Sequence, residues 1–385
     1  MIRFSTIIST CCILACCTVS AVDAQPADPA RIEGLLVGAL LGDAAGGPDE
    51  FQKPEQSIWT QTDTVLSAAG IQSLADRFKL KPYTRRPNPE SYGQWRANAP
   101  AGTVTDDSRF KIIFFQSLEA AGKPSRRHFA EALLNWYADS TSVYGTLPQL
   151  WLAEFAYAAR WELGERDPER ARPPERQWGG IPTMAGQMPF LPIAALVPGQ
   201  PGLAYTLTWE MDFMDNGVAR DMNAALVAGL AAALAPDATW MTVEAAMRET
   251  DPYGFGEIDW VPRRLDRWLD VAEDVARRAE GRPHQLFRLL EQELNAETWW
   301  EAWVPMTVVF ACARMTDYNP LATLQLIMEF GYDTDSYMQV AGALFGALHG
   351  AEVFPAAMRT LIARRLQEDY QVSPAAWMDL IERLQ

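Results

Sequence analysis

The sequence predicts an all-α protein folded as a single compact multi-helix domain. Three observations carry that expectation. Apolar residues recur at helical spacing in one segment after another, while strict strand-type alternation is scarce. The chain has 385 residues, 49% of them hydrophobic, enough for a large buried core. No fixed period links the helical segments, so they are expected to pack around one core rather than as a solenoid.

Residues 1 to 24 stand apart from that domain. Arg3 precedes an apolar run from Ile7 to Val19, and Val22-Asp23-Ala24 offers small residues before Gln25-Pro26. This is the pattern of a secretory signal peptide cleaved after Ala24 or Ala21, so the expected location is secreted or periplasmic. A lipoprotein signal with Cys16 after Ile13-Leu14-Ala15 is the alternative. The run is short for a membrane span, and no integral span is expected. Four of the five cysteines lie in this leader. The remaining Cys312 has no disulfide partner and sits in an apolar run, where a buried small hydrophobe is expected. His128, His284 and His349 have no metal-ligand spacing, which argues against zinc.

The first helix covers 30 to 46. Its glycines Gly34, Gly38 and Gly42 fall on one face, and Gly342, Gly346 and Gly350 repeat the period late in the chain. Two such faces can approach closely, so the two helices are expected to be central and in mutual contact. Residues 48 to 101 read as a long proline-bearing loop with one helix at 63 to 78. A helix follows Gly102 to Ser108. Residues 125 to 162 are helical, with Phe129, Leu133, Leu134, Trp136, Tyr137, Trp151, Phe155 and Tyr157. Residues 164 to 182 form a charged, exposed excursion, and 183 to 198 are apolar but broken by Pro189, Pro192 and Pro198. One long helix is expected over 205 to 235 and an amphipathic one over 257 to 280. The segments 284 to 294, 299 to 315, 320 to 330, 335 to 350, 355 to 367 and 374 to 384 complete the series.

Two stretches carry chemistry. Thr105-Asp106-Asp107-Ser108 and Asp333-Thr334-Asp335-Ser336 each place hydroxyls and two carboxylates where a helix begins. One cap needs one side chain, and here several oxygens crowd each turn. If both turns converge, four carboxylates repel strongly. Divalent cations such as Mg2+ or Ca2+, which take hard oxygen ligands, are the natural partner. The net charge of −16 argues against a nucleic-acid backbone or an anionic membrane as partner.

Together with Gly42-Asp43-Ala44-Ala45-Gly46-Gly47-Pro48-Asp49-Glu50, these stretches resemble the three signatures of the ADP-ribosylglycohydrolase family. That family includes ADP-ribosyl-acceptor hydrolases, the enzyme that reactivates dinitrogenase reductase, and jellyfish lens crystallins. The resemblance implies the same all-α fold. It also implies two Mg2+ ions held by Thr105, Asp106, Asp107, Asp333, Asp335 and Ser336, with Asp335 shared between them. Glu50 and Asp335 are then the catalytic carboxylates, Glu50 acting as a base or positioning the ribose. Asp43 either caps a turn or supports the ligands from behind. The implied activity is hydrolysis of an N- or O-glycosidic bond of a small-molecule or protein-linked ADP-ribosyl group. The alternative is an inactive relative that binds ADP-ribose or a glycoside, as the crystallin members suggest. Two departures bear on substrate. Tyr332 stands where the family usually has glycine, as a cover, a stacking ring or a packed aromatic. The family's middle Gly-Asn-Gly then Met-Arg motif has only Gly179-Gly180 and Asp215-Asn216-Gly217 as weak counterparts. Trp299, Trp300 and Trp303 have the helical spacing of core and interface residues. The sequence does not specify an oligomeric state.

Overall fold

A computed structural model describes residues 28–51, 64–83, 99–138 and 149–385. The leader lies outside the described residues. Seventeen α-helices lie within them. The N-terminal half contains α1 (Pro29–Gly46), α2 (Ala68–Arg77), α3 (Asp106–Ala121), α4 (Arg126–Ala138) and α5 (Gln149–Glu162). Two single turns follow, α6 (Gln187–Phe190) and α7 (Ile193–Leu196), then α8 (Pro201–Met211), α9 (Gly217–Ala233) and α10 (Trp240–Glu249). The C-terminal half has α11 (Arg264–Arg278), α12 (Pro283–Leu294), α13 (Trp303–Met315) and α14 (Pro320–Phe330). It closes with α15 (Thr334–His349), α16 (Ala356–Tyr370) and α17 (Pro374–Leu384). The all-α expectation holds: among the described residues the only β pairing is an isolated bridge between Thr183 and Glu301. No helix among them is long and apolar enough to cross a membrane.

Local chemistry sets the helix ends. Asp28, Ser67, Thr105, Asn319 and Ser373 each cap a helix by accepting an early backbone N–H. Gly122 and Asn295 end α3 and α12 in the left-handed region.

The helix expected over 205 to 235 is in fact two. The Asp212 carboxylate accepts the N–H groups of Met214 and Asp215, and Gly217 turns at φ +49°. This side-chain-to-backbone capture competes with helix continuation and breaks the rod between α8 and α9. The apolar content that suggested one long helix serves two buried ones. The helix expected from 257 begins only at Arg264, and α10 lies in a stretch assigned no element from sequence. The run expected from 125 to 162 divides into α4 and α5, with residues 139–148 outside the described set.

The core is organised on α1 and α15, which run antiparallel in backbone contact. A Cβ on Gly34 would lie 2.2 Å from the Gly346 carbonyl oxygen, one on Gly38 2.1 Å from that of Gly342, and one on Gly42 1.9 Å from that of Met338. Only hydrogen fits in those gaps, which explains both glycine stripes. The same register delivers the end of α1 to the start of α15. The Thr334 hydroxyl donates to the Gly46 carbonyl at 2.9 Å. Residues Thr334 to Leu348 are all buried, so the acidic turn that opens α15 lies inside the molecule.

Candidate metal centre

Three segments meet at the α15 start. The first is the tip of α3. Thr105 caps that helix in an extended conformation, and its hydroxyl accepts the Asp107 N–H at 3.2 Å. Asp43, at the end of α1, completes the cap from outside. Its carboxylate accepts the backbone N–H of Thr105 (3.0 Å) and of Ser108 (3.2 Å), and both hydroxyls donate to it. Negative charge at a helix N-terminus is favourable, and here it welds α1 to α3. Of the two roles open to Asp43, the structure gives both: it caps, and it stands behind Thr105.

The second segment is α15. Ser336 donates to one Asp107 oxygen at 3.2 Å, and the Gln339 amide donates to the other. Lys111 donates to the Asp107 carbonyl at 3.1 Å and to the Gln339 side-chain oxygen. Asp106 and Asp335, 229 positions apart in the chain, thus share one buried site with Asp107. The third segment brings Glu50, 5% exposed, against Asp333 and Asp335.

The carboxylates form two triads, Asp106–Asp107–Asp335 and Glu50–Asp333–Asp335, each with oxygens within 4.8 Å of one another. Asp335 belongs to both. All five residues are buried. Asp106 Oδ1 and Asp335 Oδ1 are buried without a hydrogen-bond partner among the described residues. A buried acceptor left in that state is costly. Two such oxygens facing like charges match the coordination needs of a hard cation, and every donor in the set is an oxygen. Thr105 retains a lone pair after giving its proton to Asp43 and accepting from Asp107, and Ser336 keeps its acceptor capacity.

Electrostatics point the same way. Burial pushes Asp43, Asp106, Asp107, Asp333 and Asp335 above the usual carboxylate range. Neighbouring carboxylates add to the rise at Asp107, Asp333 and Asp335, while Arg109 holds Asp106 back. Burial lowers Lys111 to about 8, against the pull of Asp107 and Asp43. A group whose folded pKa is raised stabilises the fold below its unfolded pKa, and that stability is lost as pH rises. The metal-free protein is therefore expected to melt lower at pH 8 than at pH 5. A divalent cation needs the ionised forms, so its stabilising effect should grow over the same interval. Thermal melts with Mg2+ and with EDTA across that range check both trends.

Strained backbone aims two of the acids. Phe51 and Tyr332, each beside a cluster carboxylate, adopt φ of +51° and +65°, a region bulky residues rarely enter. The Phe51 N–H donates to the Tyr332 carbonyl at 2.6 Å, which locks one turn to the other. The Tyr332 side chain is a packed aromatic. It stacks on Trp299 with ring centroids 3.6 Å apart, and its hydroxyl donates to Glu291. Trp303 stacks on Trp268. The helix expected from 299 begins at Trp303, and Trp300 is exposed rather than core, so the helical spacing of the three tryptophans was not that of one buried face. Cys312 is a free, buried thiol.

Sequence reasoning missed Lys111, Gln339, Arg109 and Tyr83, all buried. Lys111 and Gln339 had a usable signal: each lies four residues after a cluster carboxylate, on the same helix face, amid apolar neighbours. Tyr83 comes from the long loop, and a Cβ on Gly47 would lie 2.1 Å from its hydroxyl. Asp43→Asn keeps the shape but cannot accept four hydrogen bonds, so it is expected to weaken cation affinity by about 10–100-fold. Isothermal titration with Mg2+ measures that loss.

The model of the family described as ADP-ribosylglycohydrolase matches residues 24–384. No curated protein matches the chain.

Proposed function

The chain belongs to the ADP-ribosylglycohydrolase family, and from that premise we propose that it is an exported hydrolase of ADP-ribosyl glycosidic bonds that works with two Mg2+ ions. The single observation that carries the proposal is Asp335, a carboxylate common to two buried oxygen triads with one oxygen left without a partner. Asp106, Asp107 and Asp335 would hold one ion and Asp333 and Asp335 the other, with the Thr105 and Ser336 hydroxyls at hand and Glu50 beside the second ion as the base. The ions supply Lewis-acid polarisation and offset the charge of the five carboxylates.

The protein's own part is to orient and to exclude. Asp43, Lys111 and Gln339 fix Thr105 and Asp107, so the donors are set before substrate arrives. Burial keeps bulk water from the carboxylates and strengthens every charge interaction among them. Glu50, beside Asp333 and Asp335, would take a proton from the water that attacks the anomeric carbon. The signal-peptide pattern in residues 1 to 24 is what supports a location outside the cytoplasm.

The family's inactive members leave a binding protein as the other reading. The purified protein, incubated with ADP-ribosylated arginine and serine conjugates, is expected to release ADP-ribose with Mg2+ and not with EDTA. Calorimetric binding of ADP-ribose without release from either conjugate would favour the binding protein. Neither binding nor release would remove both.

A further inference from the structure

Lys111 lies beside the carboxylate cluster and is 1% exposed. It stands on α3 between Phe110 and Ile112, and an apolar side chain there would avoid the cost of taking an ammonium out of water. Among the described residues its hydrogen bonds go to neutral oxygens: the Asp107 carbonyl at 3.1 Å and the Gln339 side chain. Its charge is met through space by Asp107, Asp43, Asp106 and Asp335. An ammonium only donates, so the Gln339 oxygen faces Lys111 and the Gln339 nitrogen faces the Asp107 carboxylate. That brace needs a donor at position 111 but no charge; a neutral amide would serve. The charge has a separate use.

The buried carboxylates of the centre are Glu50, Asp106, Asp107, Asp333 and Asp335, with Asp43 behind them. Among the described residues, the buried cations that face them are Arg109 and Lys111. Bound metal ions require the carboxylates ionised. Six negative charges then meet two positive ones, and −4 remains. Two divalent ions neutralise that remainder. With a neutral residue at 111 the remainder is −5, which no pair of divalent ions matches, and a mismatch is costly where water does not screen it. Hard oxygens alone do not discriminate against higher charge, because attraction grows with the charge of the ion.

We propose that Lys111 is a built-in counter-ion that fixes the total charge the centre accepts, and so selects divalent over trivalent cations. The proposal rests on the two-ion reading of the centre. Lys111 bonds to no carboxylate oxygen, so it acts on the ions through its field and, by way of Gln339, on the setting of Asp107. The field repels a trivalent ion more than a divalent one. The brace favours both alike. The two contributions are therefore separable by measurement.

The test measures affinity for Tb3+, by its luminescence, and for Ca2+, by displacement of Tb3+, at one mildly acidic pH. The two ions have nearly equal radii, so their ratio reports charge. Lys111→Met and Lys111→Gln are each expected to raise the ratio of Tb3+ to Ca2+ affinity by about ten-fold or more over wild type. Lys111→Arg keeps the charge and should stay within about two-fold of the wild-type ratio, as should Gln339→Met, which loses the brace and keeps the charge. An unchanged ratio in both neutral variants, or an equal rise in Lys111→Arg or Gln339→Met, overturns the inference and leaves the metal centre standing. Failure of both neutral variants to fold with either ion present makes Lys111 a structural residue and also overturns it. Failure of wild type to bind either ion overturns the metal centre as well.

Discussion

Asp335→Asn is expected to lower metal-dependent turnover by at least about 10²–10³-fold, the scale of losing one preorganised electrostatic contact in a dry site. The true loss should be larger, because one side chain serves both triads. The amide keeps the volume and one oxygen but removes the charge that both proposed ions would share. Two further measurements separate this from misfolding. Calorimetric titration with Mg2+ should show weakened binding at both positions rather than one. The metal-free variant should melt no lower than wild type, since removing one buried charge relieves repulsion from Asp333, Asp107 and Asp106. Retention of full activity would break the link between the carboxylate cluster and catalysis.

Gly42→Ala is expected to cost stability on the scale of about 3 kcal/mol, the upper part of the usual range for overpacking. The added methyl group would stand 1.9 Å from the Met338 carbonyl oxygen and 2.8 Å from the Gln339 nitrogen, both backbone atoms that cannot rotate aside. The helices must separate to admit it. A fall in melting temperature of roughly 5 °C or more follows. Because Asp43 is the next residue and α15 carries Asp335, the same shift should also weaken Mg2+ binding. Gly122→Ala provides the contrast: nothing lies within 4 Å of its Cβ position, and only the left-handed φ of +66° opposes the change. That variant should be destabilised through backbone strain alone, with Mg2+ affinity intact.

Much of this was legible from the chain. The glycine stripes announced a close helix pair, because a repeat of four on two helices has few other uses. The contacts at Gly34, Gly38 and Gly42 are what that pattern requires. The two hydroxyl-and-carboxylate turns were legible for a different reason. Local chemistry of that density is excessive for capping, and the structure brings both turns to one place. The break at residues 212 to 216 was not legible. Its cause is an Asp212 carboxylate that captures two local N–H groups, whereas the flanking apolar content is that of one continuous buried helix. Short polar residues inside an apolar run read equally well as a kink, a cap or a buried satisfied group. Asp215, held by Thr183, Gly186 and Asn223, belongs to that last class.

By itself the sequence determined the helical class, the glycine seam and the identity of the acidic side chains. Each of these is written in local spacing and residue type. The tertiary structure alone decided that Asp335 serves two triads, that Lys111 and Gln339 brace Asp107, and that Tyr332 folds onto Trp299. Those outcomes depend on the register of helices far apart in the chain, set by backbone contact across the α1–α15 seam, and no local pattern encodes a distance between remote segments.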